Sequence, residues 1–297
     1  GVVSIAVIHT LFNILSTVIL MPFCNSIEKL ADISIKPKKE EKKTDVFDTL
    51  DERFLSVPSF AVEKCHQLVC QMADISNSSI IKATDLLRNF DKKKIKEIND
   101  SEDLVDTYED KISTYLVRLA GSKLSDKDSR EVTKLLHVIG DVERISDHAV
   151  NIMRGAEEIN SKGIKFSEEA IHEIHIISDA VCEILSLAVE ALKNEDCEIA
   201  KKVEPLEQII DKLKYKIKNN HVARLRDGNC TVEMGFILSD LLNNYERVSD
   251  HCSNIAVCLL EIANNSFETH EYLNHVKNDG ENEFFELYAA YKKKYSI

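Results

Sequence analysis

The chain has 297 residues, is 44% hydrophobic and 30% charged, and carries a net charge of −13. With no Trp, 4 Pro and 8 Gly, it predicts long helices with short connections, over a length that can hold two ordinary domains. The acidic balance excludes nucleic acid or an anionic membrane face as a direct ligand and favours cations.

The first 23 residues, Gly1–Phe23, contain no charged side chain when His9 is neutral. About 20 apolar residues cross a hydrocarbon core as a helix, so this stretch predicts a transmembrane helix with its exit, over 1–35. His9, Thr10, Asn13 and Thr17 recur at helical spacing as a polar stripe, which in lipid must face other helices. A buried core helix is the alternative. The expectation is the last span of a larger membrane protein whose transporter portion is missing here. Lys36, Lys38, Lys39, Lys42 and Lys43 follow within a linker, 36–57, and by the positive-inside rule place everything beyond about residue 35 in the cytoplasm of a cell-membrane protein.

From Ser59 the period is helical, with Val62, Cys65, Leu68, Val69, Met72 and Ile75 at three and four spacing. Further helices are predicted over about 92–120, from about 125, over about 167–194, over about 198–225, and after "RDGNCTVE". The eight Cys form no C-x-x-C pair and read as small buried hydrophobes in a reducing compartment.

Two segments of this chain are near copies. "ERISDHAVNI" (Glu143–Ile152) and "ERVSDHCSNI" (Glu246–Ile255) are identical at seven positions and lie 103 residues apart. "EDLVD" (Glu102–Asp106) and "EQIID" (Glu207–Asp211) align at an offset of 105. The order of helices therefore predicts an all-α protein with two three-helix up-down-up units, 58–163 and 164–265, and a helical tail, 266–297. Each unit carries two acidic pairs at i, i+4, hence on one helical face. Counted along antiparallel helices, Glu102/Asp106 come level with Glu143/Asp147, and Glu207/Asp211 with Glu246/Asp250.

Like charges at this spacing cost a helix a few tenths of a kcal/mol per pair, and facing pairs cost more unless a cation lies between them. Oxygen-only ligands suit Fe, Mn, Mg, Ca or carboxylate-bound Zn. The eight acids thus read as two metal sites. A solvated acidic face beside Arg144 and Arg247 is the bland alternative, and Asp106/Asp110 an alternative register. Asn151 and Asn254 continue the stripe as ligands or as a polar rim. His148 and His251, one residue past the acids and about 100° around the helix, are expected to support or face solvent, not to ligate.

"ERISD" and "ERVSD", with the paired E-x-x-x-D helices, resemble the PhoU family. That resemblance implies two three-helix repeats, each holding a multinuclear iron or zinc cluster, and no enzymatic activity. "HTLFN", "LMPF" and the tail "FFELYAAYKKKYSI" are similar to Na+/phosphate cotransporter-family proteins carrying a PhoU-like domain. The resemblance implies a role in phosphate transport or its regulation, with Na+ and phosphate handled by the transporter portion, and a possible homodimer. Phosphate would then be sensed through the metals. Two rivals stand beside it. Glu63-x-x-His66 and Glu169-x-x-His172 echo di-iron carboxylate enzymes, although they fall about 15–20 Å from the acid level. A metal-free, partner-docking helical domain is the other.

Overall fold

The computed structural model describes residues 2–21, 46–263 and 282–297, in two compact units, Gly1–Asp48 and Thr49–Ile297. No strand occurs among the described residues.

The first unit contains α1 (Val2–Leu20). Its polar stripe is satisfied locally: the Asn13 amide donates to His9 Nδ1 at 3.2 Å, and the Thr17 hydroxyl donates to the Asn13 carbonyl at 2.8 Å. Among the described residues, no helix is long and apolar enough to cross a membrane. The uncharged run is helical over 19 residues, and the His9, Asn13 and Thr17 stripe interrupts its apolar surface. The expectation of a transmembrane helix and a cell-membrane location is corrected accordingly. The basic run, Lys36–Lys43, lies outside the described residues.

The first unit ends within a short 3₁₀ turn (Val46–Thr49); in the second, another (Glu52–Ser56) precedes α2 (Pro58–Leu86), α3 (Lys92–Ala120) and α4 (Asp126–Lys162). Then follow α5 (Glu168–Asn194), the single turn α6 (Cys197–Ala200), α7 (Val203–Arg226), α8 (Val232–Ala263) and α9 (Asn282–Lys294). Helices α2, α3 and α4 pack on one another, as do α5, α7 and α8; α4 packs on α8 and α2 on α5, while α9 lies along α7.

Helix starts follow side-chain chemistry. The Ser125 hydroxyl accepts the Asp128 N–H at 3.1 Å ahead of α4, and Ser167 accepts the Ala170 N–H at 3.3 Å ahead of α5. Gly163 ends α4 at φ 63°, where a side chain would be strained. The sequence predicts one helix over about 198–225, but the chain breaks between Ala200 and Val203. Pro205 is the reason: it cannot donate to the Lys201 carbonyl, and its ring would clash there.

The expected α2 core is largely in place. Val62, Cys65, Leu68, Val69 and Met72 are buried, whereas Ile75 is only half-buried. Ser76 takes the inner position instead, its hydroxyl 3.2 Å from both the Met72 and Val142 carbonyls. Cys65 and Cys252 are buried, five further Cys are half-buried, and all seven described are free thiols.

Candidate metal centre

The first acidic constellation lies where α3 faces α4. Burial raises the Glu102 carboxyl above its ordinary range, and Asp106, Asp103 and Asp147 push it further, against Arg154. Burial likewise raises Asp106, followed by Asp147 and Asp103. Glu143 is raised by burial and Asp147, opposed by Arg144, with Asp106 and Glu109 adding. The four predicted residues therefore act on one another across the two helices. Glu102 and Asp106 both couple to Asp147; Asp106 and Asp110 are both exposed.

The second constellation lies between α7 and α8. Glu207, Asp211 and Asp250 each bring a carboxylate oxygen to within 4.8 Å of the other two. Burial raises Asp211, then Glu246 and Asp250, with Lys214 opposing. Burial and Glu246 raise Asp250, with Arg247 opposing; its guanidinium stands 3.2 Å from the Asp250 carboxylate. Glu246 stands outside that trio and is paired with the Lys214 ammonium.

The two centres differ in charge at aligned positions, among them that of Glu109 and Lys214. Glu109 and Lys214 stand at the same 105-residue offset as the middle-helix acids. Glu109 adds negative charge beside Glu143, whereas Lys214 neutralises Glu246. The sequence reading took Glu109 and Asp103 only as acids offering another register, and missed Lys214 and Glu204; the repeat offset was the signal that could have found Lys214. Glu204 accepts the Ser253 hydroxyl at 2.7 Å.

The accompanying residues turn elsewhere. His148 Nδ1 lies 2.8 Å from Asn244 Oδ1, and His251 Nδ1 lies 2.8 Å from Asp141 Oδ1, so both rings are held across α4 and α8. The Asn254 amide also donates to Asp141, at 3.1 Å, and exposed Asn151 accepts from Arg154 at 3.5 Å. Glu63 and His66 line a separate cleft with Lys193 and Glu195, while Glu169 and His172 are exposed. The two E-x-x-H motifs thus do not join the acids, as a di-iron enzyme requires.

Oxygen-only donors, from facing i, i+4 pairs whose ionisation is opposed by their neighbours, fit a hard or borderline cation. The donor set has no thiolate or imidazole to favour a softer metal.

The PhoU domain profile matches residues 69–156 and 174–259. The chain is 24% identical over 188 residues to a phosphate-specific transport system accessory protein PhoU homolog of Thermotoga maritima, covering 63% of this chain and 80% of that protein. It is 22% identical over 269 residues, 89% of this chain, to YjbB of Salmonella typhimurium, a protein named for inorganic phosphate export; the match spans 49% of that longer protein. The crystal structure of PhoU from Pseudomonas aeruginosa superposes with a TM-score of 0.65 at 20% identity, over 69% of this chain and 97% of that one. The regulatory protein PhoU from Streptococcus pneumoniae gives 0.63 at 17% identity, over 71% and 99%. These proteins are named for accessory, regulatory or export roles and none for an enzyme, in keeping with the non-catalytic reading. The matched segments, which cover more than half of the chain and contain all eight predicted ligands, establish that this protein belongs to the PhoU domain family.

Proposed function

We propose that the chain is a metal-binding regulatory domain acting on a phosphate-transport protein. In this reading 58–163 and 164–265 are equivalent three-helix units. Glu102, Asp106, Glu143 and Asp147 hold one multinuclear iron or zinc cluster, and Glu207, Asp211, Glu246 and Asp250 hold the other. The carrying observation is the mutual opposition of these carboxylates: each set is unfavourable alone and becomes favourable around cations. The metal would supply the positive charge that an acidic surface otherwise lacks for a phosphate anion.

The names of the relatives support phosphate transport as the process. The likeness to YjbB along most of the chain supports a transporter as the partner. A Na+/phosphate cotransporter-family protein is the form expected from the sequence, and a homodimer the expected assembly. Two measurements test the proposal: metal content of protein purified without an affinity tag, and phosphate uptake by cells carrying the paired variant Asp147→Asn/Asp250→Asn. Metal-free protein, together with unchanged uptake, would return the domain to a plain docking role.

A further inference from the structure

Away from the acidic centres, α2 and the end of α5 form a cleft of about 490 Å³, lined by Glu63, His66, Gln67, Cys70, Lys193 and Glu195 among others. His66, Glu131 and Glu195 each place one ligand atom within 4.8 Å of the other two. Cys70 stands one helical turn past His66, with its sulfur 3.8 Å from either ring nitrogen. On a tetrahedral zinc ion, bonds of about 2.0–2.1 Å to nitrogen and about 2.3 Å to sulfur separate the two donors by about 3.6 Å. The pair therefore needs little movement to share one ion, whereas the Cys70 sulfur, outside the 4.8 Å group, has to close on the carboxylates as the ion binds.

The ring is also oriented. His66 Nε2 lies 3.3 Å from the Leu192 carbonyl oxygen. A carbonyl only accepts, so Nε2 carries the hydrogen and the Nδ1 lone pair is left to bind. The carboxylates are tied together by Lys134, whose side chain is 3% exposed and whose ammonium lies 2.6 Å from Glu131 Oε1 and 2.9 Å from Glu195 Oε1. Each carboxylate keeps a second oxygen as a donor. Glu195 holds this place at φ 51°, the one non-glycine residue with positive φ among the described residues. Glycine would be the unstrained choice, but it could not reach Lys134.

We propose that His66, Cys70, Glu131 and Glu195 form a single-ion site for a borderline divalent metal of the zinc class, with Lys134 as the positioning residue for the two carboxylates. The assignment is independent of the acidic centres, because its donors are nitrogen, sulfur and oxygen together. Two carboxylates and one ammonium leave a single negative charge, and a thiolate plus a divalent ion brings the site to neutrality. Burial pushes the Cys70 thiol up to about 11, so at neutral pH the metal–sulfur bond forms as the thiol proton passes to solvent.

The test is a cobalt(II) titration of the whole chain after chelator treatment. A thiolate-to-cobalt charge-transfer band is expected, one that oxygen-only centres cannot give. Cys70→Ser should abolish the band with helix content unchanged, and His66→Asn should weaken the cobalt binding that the band reports at least about tenfold. Cys230→Ser should leave the band intact, although Cys230 also lies 3.8 Å from an imidazole, that of His221. Zinc should displace the cobalt. Absence of a band in the wild type, its survival in Cys70→Ser, or its loss in Cys230→Ser would overturn the site.

Discussion

The Asp141 carboxylate accepts a hydrogen bond from the His251 ring at 2.8 Å, joining α4 to α8. The aligned pair does the same in reverse: Asn244 stands 103 residues after Asp141, and accepts from His148, which stands 103 before His251. The two rings lie 5.7 Å apart. This reciprocal exchange locks together the helices that carry Glu143, Asp147, Glu246 and Asp250. Asp141→Ala should therefore cost about 1–3 kcal/mol in urea unfolding, because it strands a half-buried ring. Asp141→Asn should cost clearly less, since Asn244 already performs the task. Equal losses would reduce the bond to ordinary packing.

Asp147→Asn and Asp250→Asn should have opposite effects with and without metal. Under chelator each variant should be as stable as wild type or more so, because one of the facing charges is gone. With iron or zinc at about 100 times the dissociation constant, wild type should gain about 2.7 kcal/mol per site, and the variants should lose most of that gain. Thermal unfolding beside elemental analysis reads both arms. An effect of the same size in both conditions would mark these acids as surface charges.

Glu109 and Lys214 should set unequal affinities in the two centres. Lys214→Glu should strengthen metal binding at the second centre by about tenfold or more, as the cation paired with Glu246 is replaced by an anion. Glu109→Lys should weaken the first centre by a similar factor. Stoichiometric titration of each variant resolves the two sites, and unchanged affinities would show that this position does not face the metals.

The metal-free domain should become more stable as pH is lowered from neutrality. Glu102 and Glu143 are raised above 4.5, and Asp106, Asp211 and Asp250 above 3.8, so the folded state binds their protons first. Their favourable contribution is complete below those ordinary values and is lost as pH rises through the raised ones. Asp85 and Glu195 run the other way. Lys94 holds Asp85 low and Lys134 holds Glu195 low, so their contribution exists above the ordinary range and disappears in acid. Urea midpoints in chelator should thus rise and then fall on acidification. A monotonic fall from neutrality would show that the acidic sets do not oppose one another.

Gly235 and Gly140 should respond oppositely to Ala. A Cβ at Gly235 would stand 2.7 Å from His221 Nε2, and His221 is buried at 7% exposure. Overpacking of about 1–3 kcal/mol should outweigh the roughly 1 kcal/mol gained in helix propensity. At Gly140 nothing lies within 4 Å, so Ala should stabilise by about 0.5–1 kcal/mol. Denaturant midpoints of the two variants, moving apart from wild type, check the pair.

By itself, the sequence determined the helical class, the doubled acidic pattern and most of the inner faces, because these depend on spacing along one helix. Val62, Cys65 and Leu68 lie inward for the same reason that Glu143 and Asp147 share a face: residues three or four apart stack on one side. What depended on local chemistry less regular than that period was missed, as with the break that Pro205 imposes on the helix read through it. Only the tertiary structure decided which charges meet across helices. Lys214 on Glu246, Asp141 on His251, and Lys134 on Glu195 join residues 32 to 110 positions apart. No period along the chain encodes those pairings. They follow from how side chains on separate helices fall opposite one another once the apolar faces have packed.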